Sequence, residues 1–485
     1  MYLGIDLGTS SVKAVLVDDA DVVLAEASAP LAVSRPHPGW SEQDPAEWWN
    51  AATRAIDELA AQSPAALAAT AGIGLSGQMH GAVLLGENHR VLRPCILWND
   101  GRSAAECAEL EAALPSLRQI TGNVAMPGFT APKFAWARKH EPEIASATQL
   151  VLLPKAYLRL LLSGETAEDM SDASGTLWLD VAARDWSDAA LAATGLTRHQ
   201  MPRLVEGNAP TGRLSRELAS RWGMASPPVI AGGAGDNAAS AIGLGAIASG
   251  DAFLSLGTSG VLWATTDRFR PNPAQAVHAF CHALPQTWHQ MAVILAAAAS
   301  LEWWSAASGA PVADLIDELG PPPVKPAEAM FLPYLSGERT PHNDAAVRGA
   351  FVNLGWASNR RDLTQAVLEG VAFAFGDGLD ALSAAGTRVE RAIVTGGGSR
   401  AGTWITILAA ALGIPLLRPV AGEHGAALGA ARLGRMAATG EDPRQVCRPP
   451  AIAETVQPDP ALRAAYAERH LRYRAAYPAL KEISR

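Results

Sequence analysis

A chain of 485 residues with 49% hydrophobic and 18% charged residues has enough apolar content for at least two domains, each with its own core, and too much for long disorder. The formal charge of −9, with no Lys/Arg-rich stripe, excludes a nucleic-acid surface but not a nucleotide site, where loop amides, helix N-termini and Mg²⁺ supply the positive field. Four scattered cysteines (Cys95, Cys107, Cys281, Cys447) lack any C-x-x-C pair, which excludes a disulfide framework or zinc site and fits reduced thiols in a cytoplasmic protein.

Strand patterns open the chain at Tyr2–Leu7, Val12–Val17 and Val22–Ala27, an antiparallel meander turning at residues 18–21. No basic or apolar leader pattern precedes them. A helix follows, with Asp44 as N-cap, Pro45 in the first turn and Glu47 expected to close a capping box. Strands are predicted at Ala71–Ser76 and Ala82–Leu85, and helical stretches from Ser103, Lys133 and Lys155. Pro227-Pro228 leads into a short buried strand, Val229–Ala231, then the loop Gly232–Asn237 and a helix over Ala238–Ala248. In the second half, the apolar run from Met291 is too short to cross a bilayer and reads as a buried helix to Ala307. A Pro-rich loop at 321–323 and a long helix, Arg361–Ser383, come next. The strand Arg391–Thr395, the turn Gly396–Ser399 and the helix Thr403–Leu412 follow, and after residue 440 only a loop and one terminal helix are expected. Strand meanders alternating with helices in both halves predict a duplicated α/β layer architecture.

Residues 1–18 and 252–267 carry two near-copies of one pattern. Each is an apolar run, then Leu-Gly-Thr-Ser (Leu7–Ser10 and Leu256–Ser259), then a second apolar run ending in Asp. Such a hairpin turn offers N–H groups and hydroxyls to a phosphate, and two of them suggest one polyphosphate gripped from both sides. Aligned on the turn, Asp6 faces Ser255 and Lys13 faces Leu262, so only the first copy is charged. The first is expected to handle metal and charge, and the second to grip phosphate by amides and Thr258.

Asp6 ends the first strand beside that turn, where a carboxylate suits a Mg²⁺ held through water better than a cap on its own turn. Asp236 follows a glycine-rich loop at a helix start. There it serves equally well as a plain N-cap or, kept ionised by the macrodipole, as acceptor of a proton from an attacking hydroxyl. Gln78-Met79-His80-Gly81 fits either polyhydroxyl binding or a polar turn. Trp98-Asn99-Asp100-Gly101-Arg102 has the aromatic-plus-polar composition of a sugar pocket. Gly396–Ser399 allows close approach of a phosphorylated ligand, but neither it nor any other segment has dinucleotide-fingerprint or P-loop spacing. His282, His342 and His424 lack a second ligand at suitable spacing and read as structural.

Taken together, LGIDLGTSSVK, AGGAGDNAASAIG, SLGTSG and IVTGGGSR resemble the FGGY carbohydrate kinases over essentially the whole chain. SRPHPGWSEQDPAEWW, GQMHGAVLL, RPCILWNDGR, GNVAMPGFTAPK, MSDASGTLWLDV and FLPYLSGERTPHND resemble that family's ketopentose-kinase branch. The resemblance implies an α/β fold of two ribonuclease H-like (actin/Hsp70-type ATPase) domains with an active-site cleft between them. Residues 1–247 would bind sugar and residues 248–485 nucleotide. It implies ATP and Mg²⁺, a small-molecule sugar phosphorylated on its terminal hydroxyl, no nucleic-acid or membrane partner, and admits a homodimer. Asp236 matches the proton acceptor and Asp6 the carboxylate near Mg²⁺. Met79, His80 and Asn237 match sugar contacts, with Trp98 and Asp100 beside them. Thr9, Ser10, Lys13, Gly257, Thr258, Gly397 and Gly398 match nucleotide loops. Two stretches depart from the family pattern. The loop Gly232–Gly235 is one residue longer, which adds flexibility ahead of Asp236, and Val420–Ala426 lacks a Gly/Pro stretch on the adenine side. A kinase for ribulose, gluconate, a deoxyketose or glycerol is the alternative, and an actin/Hsp70-type nucleotide switch is a more distant one.

Overall fold

The computed structural model describes residues 1–420 and 425–484. Of the departure at Val420–Ala426, residues 421–424, including His424, lie outside the described residues.

The first sheet is built on the opening meander: β1 (Tyr2–Leu7), β2 (Ser11–Val17) and β3 (Val23–Pro30). β3 runs further than the sequence pattern predicts, because Ala25, Ala27 and Ala29 continue the inward alternation of a half-buried strand. Helix α1 (Pro45–Gln62) is capped by the Asp44 carboxylate, which accepts from the Ala46 N–H. Glu47 closes no capping box; its carboxylate accepts from the Asn50 side chain instead. β4 (Gly72–Gly77), α2 (Thr130–His140), α3 (Pro154–Ser163), α4 (Met170–Ser174), β5 (Pro210–Arg213), β6 (Val229–Ala231) and α5 (Asp236–Leu244) complete this half's framework. The sheet order is β5-β6-β4-β1-β2-β3, with β6, β4 and β1 parallel and the others antiparallel.

The second sheet repeats that plan. It contains β7 (Ala252–Leu256), β8 (Gly260–Thr266), β9 (His278–Cys281) and β10 (Trp288–Ile294). Helices α6 (Ala298–Ser308) and α7 (Arg360–Ala384) precede β11 (Ala392–Thr395), α8 (Gly402–Leu412) and β12 (Leu416–Pro419). The chain closes with α9 (Gly425–Thr439), β13 (Ile452–Val456) and α10 (Pro460–Ile483). Its order, β9-β10-β8-β7-β11-β12-β13, again places a hairpin, a third antiparallel strand and then parallel strands side by side. Two ribonuclease H-like sheets are therefore present, as the resemblance implies.

Two expectations fail here. The run from Met291 is not helical: Trp288–Ile294 is strand β10, antiparallel to β8, and helix begins only at Ala298. A short apolar run is ambiguous in period, and Val293 and Ile294 favour the strand, so neighbouring strands decide. The edge strand β13 also occupies what reads in the sequence as loop after residue 440.

Helix α9 leaves the second sheet and lies across β1 and β4, beside α5. Glycines on both sides make that approach close. A Cβ at Gly74 would stand 1.7 Å from the Ala430 carbonyl oxygen, and one at Gly429 1.8 Å from that of Ala239. Backbone on backbone has no rotamer to relieve it. Gly74→Ala is therefore expected to destabilise by about 3 kcal/mol or more, the upper end of overpacking costs. Urea unfolding checks this; an unshifted midpoint would mean that the helix does not sit this close.

The four cysteines are free and buried. Among the described residues no helix is long and apolar enough to cross a membrane.

Candidate active site

Strand register assembles the site. Asp6, next to last in β1, pairs with Lys13 of β2 on one side and Ser76 of β4 on the other. The Ser76 hydroxyl donates to Asp6 Oδ1 at 2.9 Å. Beyond β4, Ala234 and Gly235 pair with Ser76 and Gly77, so Asp236 emerges at the same end of the sheet as Asp6.

Asp236 is the first residue of α5, and the N-cap is Gly235, so the plain N-cap alternative does not hold. Its Oδ1 accepts from the Asn237 N–H at 2.7 Å and from Asn237 Nδ2 at 3.0 Å. Among the described residues its Oδ2 has no partner. Burial and then the charge of Asp6 push its pKa up to about 7, although both Asn237 bonds act the other way. Burial, and after it the second carboxylate, thus outweigh the helix dipole that the sequence suggests keeps this group ionised. Burial raises the Asp6 pKa too, against the Ser76 bond and the Lys13 charge.

The loop before Asp236 is not slack. The Gly232 N–H donates to the Ala209 carbonyl at 2.8 Å, Gly233 to Gly207 at 2.9 Å and Gly235 to the Ser171 hydroxyl at 3.1 Å. Gly233 has a φ of +76°, which only glycine adopts without strain. The N–H groups of Gly232, Gly233 and Gly235 each have an acceptor, which ties down a loop whose length suggests flexibility.

Beneath the loop lies a charged cluster that the sequence did not reveal. Lys155 Nζ, fully buried, stands 2.6 Å from Glu168, 2.9 Å from Asp169 and 3.6 Å from Asp172. These carboxylates are close enough to suggest a metal site, but the ammonium already stands among them. Ser171 Oγ donates to Asp169 and accepts from the Gly235 N–H, which ties the cluster to the Asp236 loop.

Met79 packs against Gly235, where a Cβ would come within 2.9 Å of its side chain. His80 holds a φ of +72°, and its Nδ1 lies 2.7 Å from the Gly175 carbonyl. A carbonyl only accepts, so Nδ1 carries the proton and Nε2 is an acceptor. Burial, then the Lys133 charge, lowers its pKa to about 3 and keeps the ring neutral. Trp98, 39% exposed, lines a narrow cavity of about 40 Å³, open to solvent, with His80, Met126, Phe129, His278 and Arg339. A wider cleft of about 630 Å³ lined by Asp251, Arg270, Thr387 and Arg391 lies at the other end of the second sheet and contains none of these groups.

Not every candidate faces this cavity. Asp100 is buried, and its two oxygens accept from the Ser41 N–H and from the backbone and guanidinium of Arg102. It holds the segment that presents Trp98 and has no lone pair directed at a sugar. The Thr9 hydroxyl is likewise engaged, donating to Gln78 at 3.1 Å and accepting from the Trp98 indole at 3.0 Å. Ser10 is exposed at the turn, and the Gly8 N–H is used in closing it.

At the matching end of the second sheet, the Gly257 and Thr258 carbonyls accept from the N–H groups of Ala297, Ala298 and Ala299, fixing the start of α6 beside the β7–β8 turn. Gly396, at φ +84°, lies against Leu256, while a Cβ at Gly397 would meet nothing within 4 Å. The two hairpins differ in length: Leu7 pairs with Val12, but Leu256 pairs with Gly260. Structurally, Lys13 therefore corresponds to Val261 rather than Leu262; the second turn is one residue tighter.

The N-terminal domain of the FGGY family of carbohydrate kinases matches residues 1–243, and its C-terminal domain matches residues 252–438. The chain is 49% identical to a xylulose kinase from Escherichia coli (strain K12) over 482 residues, 99% of each chain. It is 47% identical to a xylulose kinase from Klebsiella pneumoniae across the full length of both. A crystal structure of a xyloylose kinase from Brucella ovis superposes with a TM-score of 0.97 at 56% identity, covering 99% of both chains. The chain belongs to the FGGY family of carbohydrate kinases.

Proposed function

We propose that this sugar kinase phosphorylates the terminal hydroxyl of D-xylulose, giving D-xylulose 5-phosphate and ADP by direct in-line transfer from ATP, with Asp236 accepting the proton. The observation that carries the chemistry is the Asp236 carboxylate. One oxygen is fixed by Asn237, the other is without a partner among the described residues, and its pKa of about 7 suits a proton acceptor at neutral pH. The end-to-end likeness to xylulose kinases supports the choice of sugar. Met79, His80, Asn237 and Trp98 would hold the sugar, with Trp98 covering its C–H face. Thr9, Ser10, Lys13, Gly257, Thr258, Gly397 and Gly398 would hold the triphosphate. Gly397, with open space around its Cα, allows the closest approach.

Asp6 fits Mg²⁺ held through water: it offers hard oxygens, and it stands near a second carboxylate that shares its raised pKa. When bound, the ion would neutralise charge on the phosphates. The chain's own residues orient the hydroxyl, hold Asp236 in place through the glycine loop and take up the proton. We place the division between sugar and nucleotide halves near residue 247, with α9 returning to the first sheet, and the protein in the cytoplasm.

A pH profile tests the base. Asp236 must be ionised to accept a proton, so kcat/KM is expected to fall about tenfold per unit as pH drops below about 7, and to level off above it. Removing the Asp6 charge with Asp6→Asn should move that limb to lower pH, since Asp6 raises the pKa. A limb unmoved by Asp6→Asn would assign the ionisation elsewhere.

A further inference from the structure

From the geometry of the cavity we infer that Arg339, reaching across from the second half of the chain, binds the carbonyl end of the sugar and sets the preference for a ketose over a polyol. The inference rests on the sugar-kinase reading above.

Arg339 lines the cavity with His80, Trp98 and Phe129 of the first half. Among the described residues no carboxylate pairs with its guanidinium; its one side-chain bond is a long one, Nη1 to His278 Nε2 at 3.4 Å. A half-buried guanidinium without a carboxylate partner has donors to spare, and such a group is costly unless a ligand oxygen uses them.

Its position is built rather than incidental. Glu338 Oε1 accepts from the Arg339 N–H at 2.8 Å and from the Leu295 N–H at 2.9 Å. The Thr340 N–H donates to the Val293 carbonyl, so both flanking residues are tied to the β10 segment. The His278 ring is oriented from the other half. Asn123 Nδ2 donates to the Thr121 and Ala279 carbonyls, which leaves Asn123 Oδ1 to accept from His278 Nδ1 at 2.9 Å. Nε2 of His278 is therefore bare and able to take an Arg339 N–H. Burial and the Arg339 charge keep this imidazole neutral.

The direction of the sugar follows from what lies where. Asp236 does not line the cavity; Met79 packs on Gly235 between them, and His80 follows Met79 into it. With the terminal hydroxyl at Asp236, the opposite end of the sugar, bearing the carbonyl and the first hydroxyl, enters the cavity. A carbonyl oxygen is an acceptor only; with the Trp98 indole taken up by Thr9 and the His278 ring by Asn123 and Arg339, Arg339 offers donors there while His80 Nε2 offers a lone pair. The pair therefore suits a carbonyl beside a hydroxyl. Because Arg339 and His80 come from different halves, a bound ketose also ties the halves together.

Arg339→Met and Arg339→Lys, with D-xylulose and xylitol as alternative acceptors, test this. Arg339→Met is expected to raise KM for D-xylulose about 10- to 100-fold, the range for a lost hydrogen bond to a charged donor. KM for ATP should stay within about twofold, and the ratio of kcat/KM for D-xylulose over xylitol should fall by about tenfold or more. Arg339→Lys, which keeps the charge and N–H donors but not the planar fork, should recover part of both effects. If Arg339→Met is not obtained folded, Arg339→Gln replaces it in the same comparison. A folded variant with unchanged KM and unchanged ketose-to-polyol ratio would overturn the assignment, as would a change confined to KM for ATP. Failure of the unsubstituted protein to phosphorylate D-xylulose would instead sink the sugar reading itself.

Discussion

Replacing Asp236 with asparagine is expected to lower kcat for sugar phosphorylation by about 10²- to 10⁴-fold, the contribution of a positioned proton acceptor. Asparagine keeps the size and still accepts from the Asn237 N–H, so the glycine loop and α5 should stay in place. The fold should not suffer. Burial and Asp6 raise the Asp236 pKa, so above pH 4 the folded state is disfavoured by having to ionise this group, and a neutral amide removes that burden. Its thermal midpoint at pH 8 is therefore expected to equal or exceed that of the unsubstituted protein, with ATP affinity within a few-fold. Loss of activity accompanied by a lower midpoint would point to a structural role. Near-normal turnover would remove Asp236 as the proton acceptor.

The second large effect lies beneath the loop. Lys155→Met is expected to destabilise by about 3–5 kcal/mol, because it strips the counter-charge from Glu168, Asp169 and Asp172 in a site without water contact. Burial works against the ammonium, yet these carboxylates hold its pKa above the ordinary lysine value. Burial, with Glu168 next, raises the Asp172 pKa well above its usual range, so the cluster already carries charge near its limit. Urea unfolding at pH 7 reads the loss. It should shrink as pH falls and the orphaned carboxylates take up protons. A midpoint within 0.5 kcal/mol of the unsubstituted value would show that the cluster is neutralised in another way. Since Ser171 links Asp169 to Gly235, any folded Lys155→Met should also show reduced kcat.

What the sequence disclosed, and what it hid, has a common physical basis. Asp6 and Asp236 were legible because each adjoins a glycine-rich turn after an apolar strand, a local signal. Their mutual repulsion was not, since it depends on β4 lying between them with Ser76 in register. The strand at Trp288–Ile294 was misread because the apolar run that starts at Met291 has no decisive period, and only β8 and β9 on either side make it a strand. Asp100 looked like a sugar contact from composition alone; the Arg102 fork turned inward uses it instead. The Lys155 cluster joins residues 13 to 17 positions apart, on α3, on α4 and on the short strand between them. Arg339 and His278 meet His80 only because the edge of the second sheet packs on the first half. The block FLPYLSGERTPHND carried Arg339 in plain view, but a lone arginine gives no sign of lacking a partner.

The most direct test of the whole account is a comparison of kcat/KM with ATP and Mg²⁺ across D-xylulose, D-ribulose, gluconate, a deoxyketose, glycerol and xylitol, read by ADP release and by the phosphorylated product. D-Xylulose is expected to lead the panel by at least about tenfold, with D-xylulose 5-phosphate as product. A lead for any other acceptor, or ADP release without a phosphorylated sugar, would contradict it.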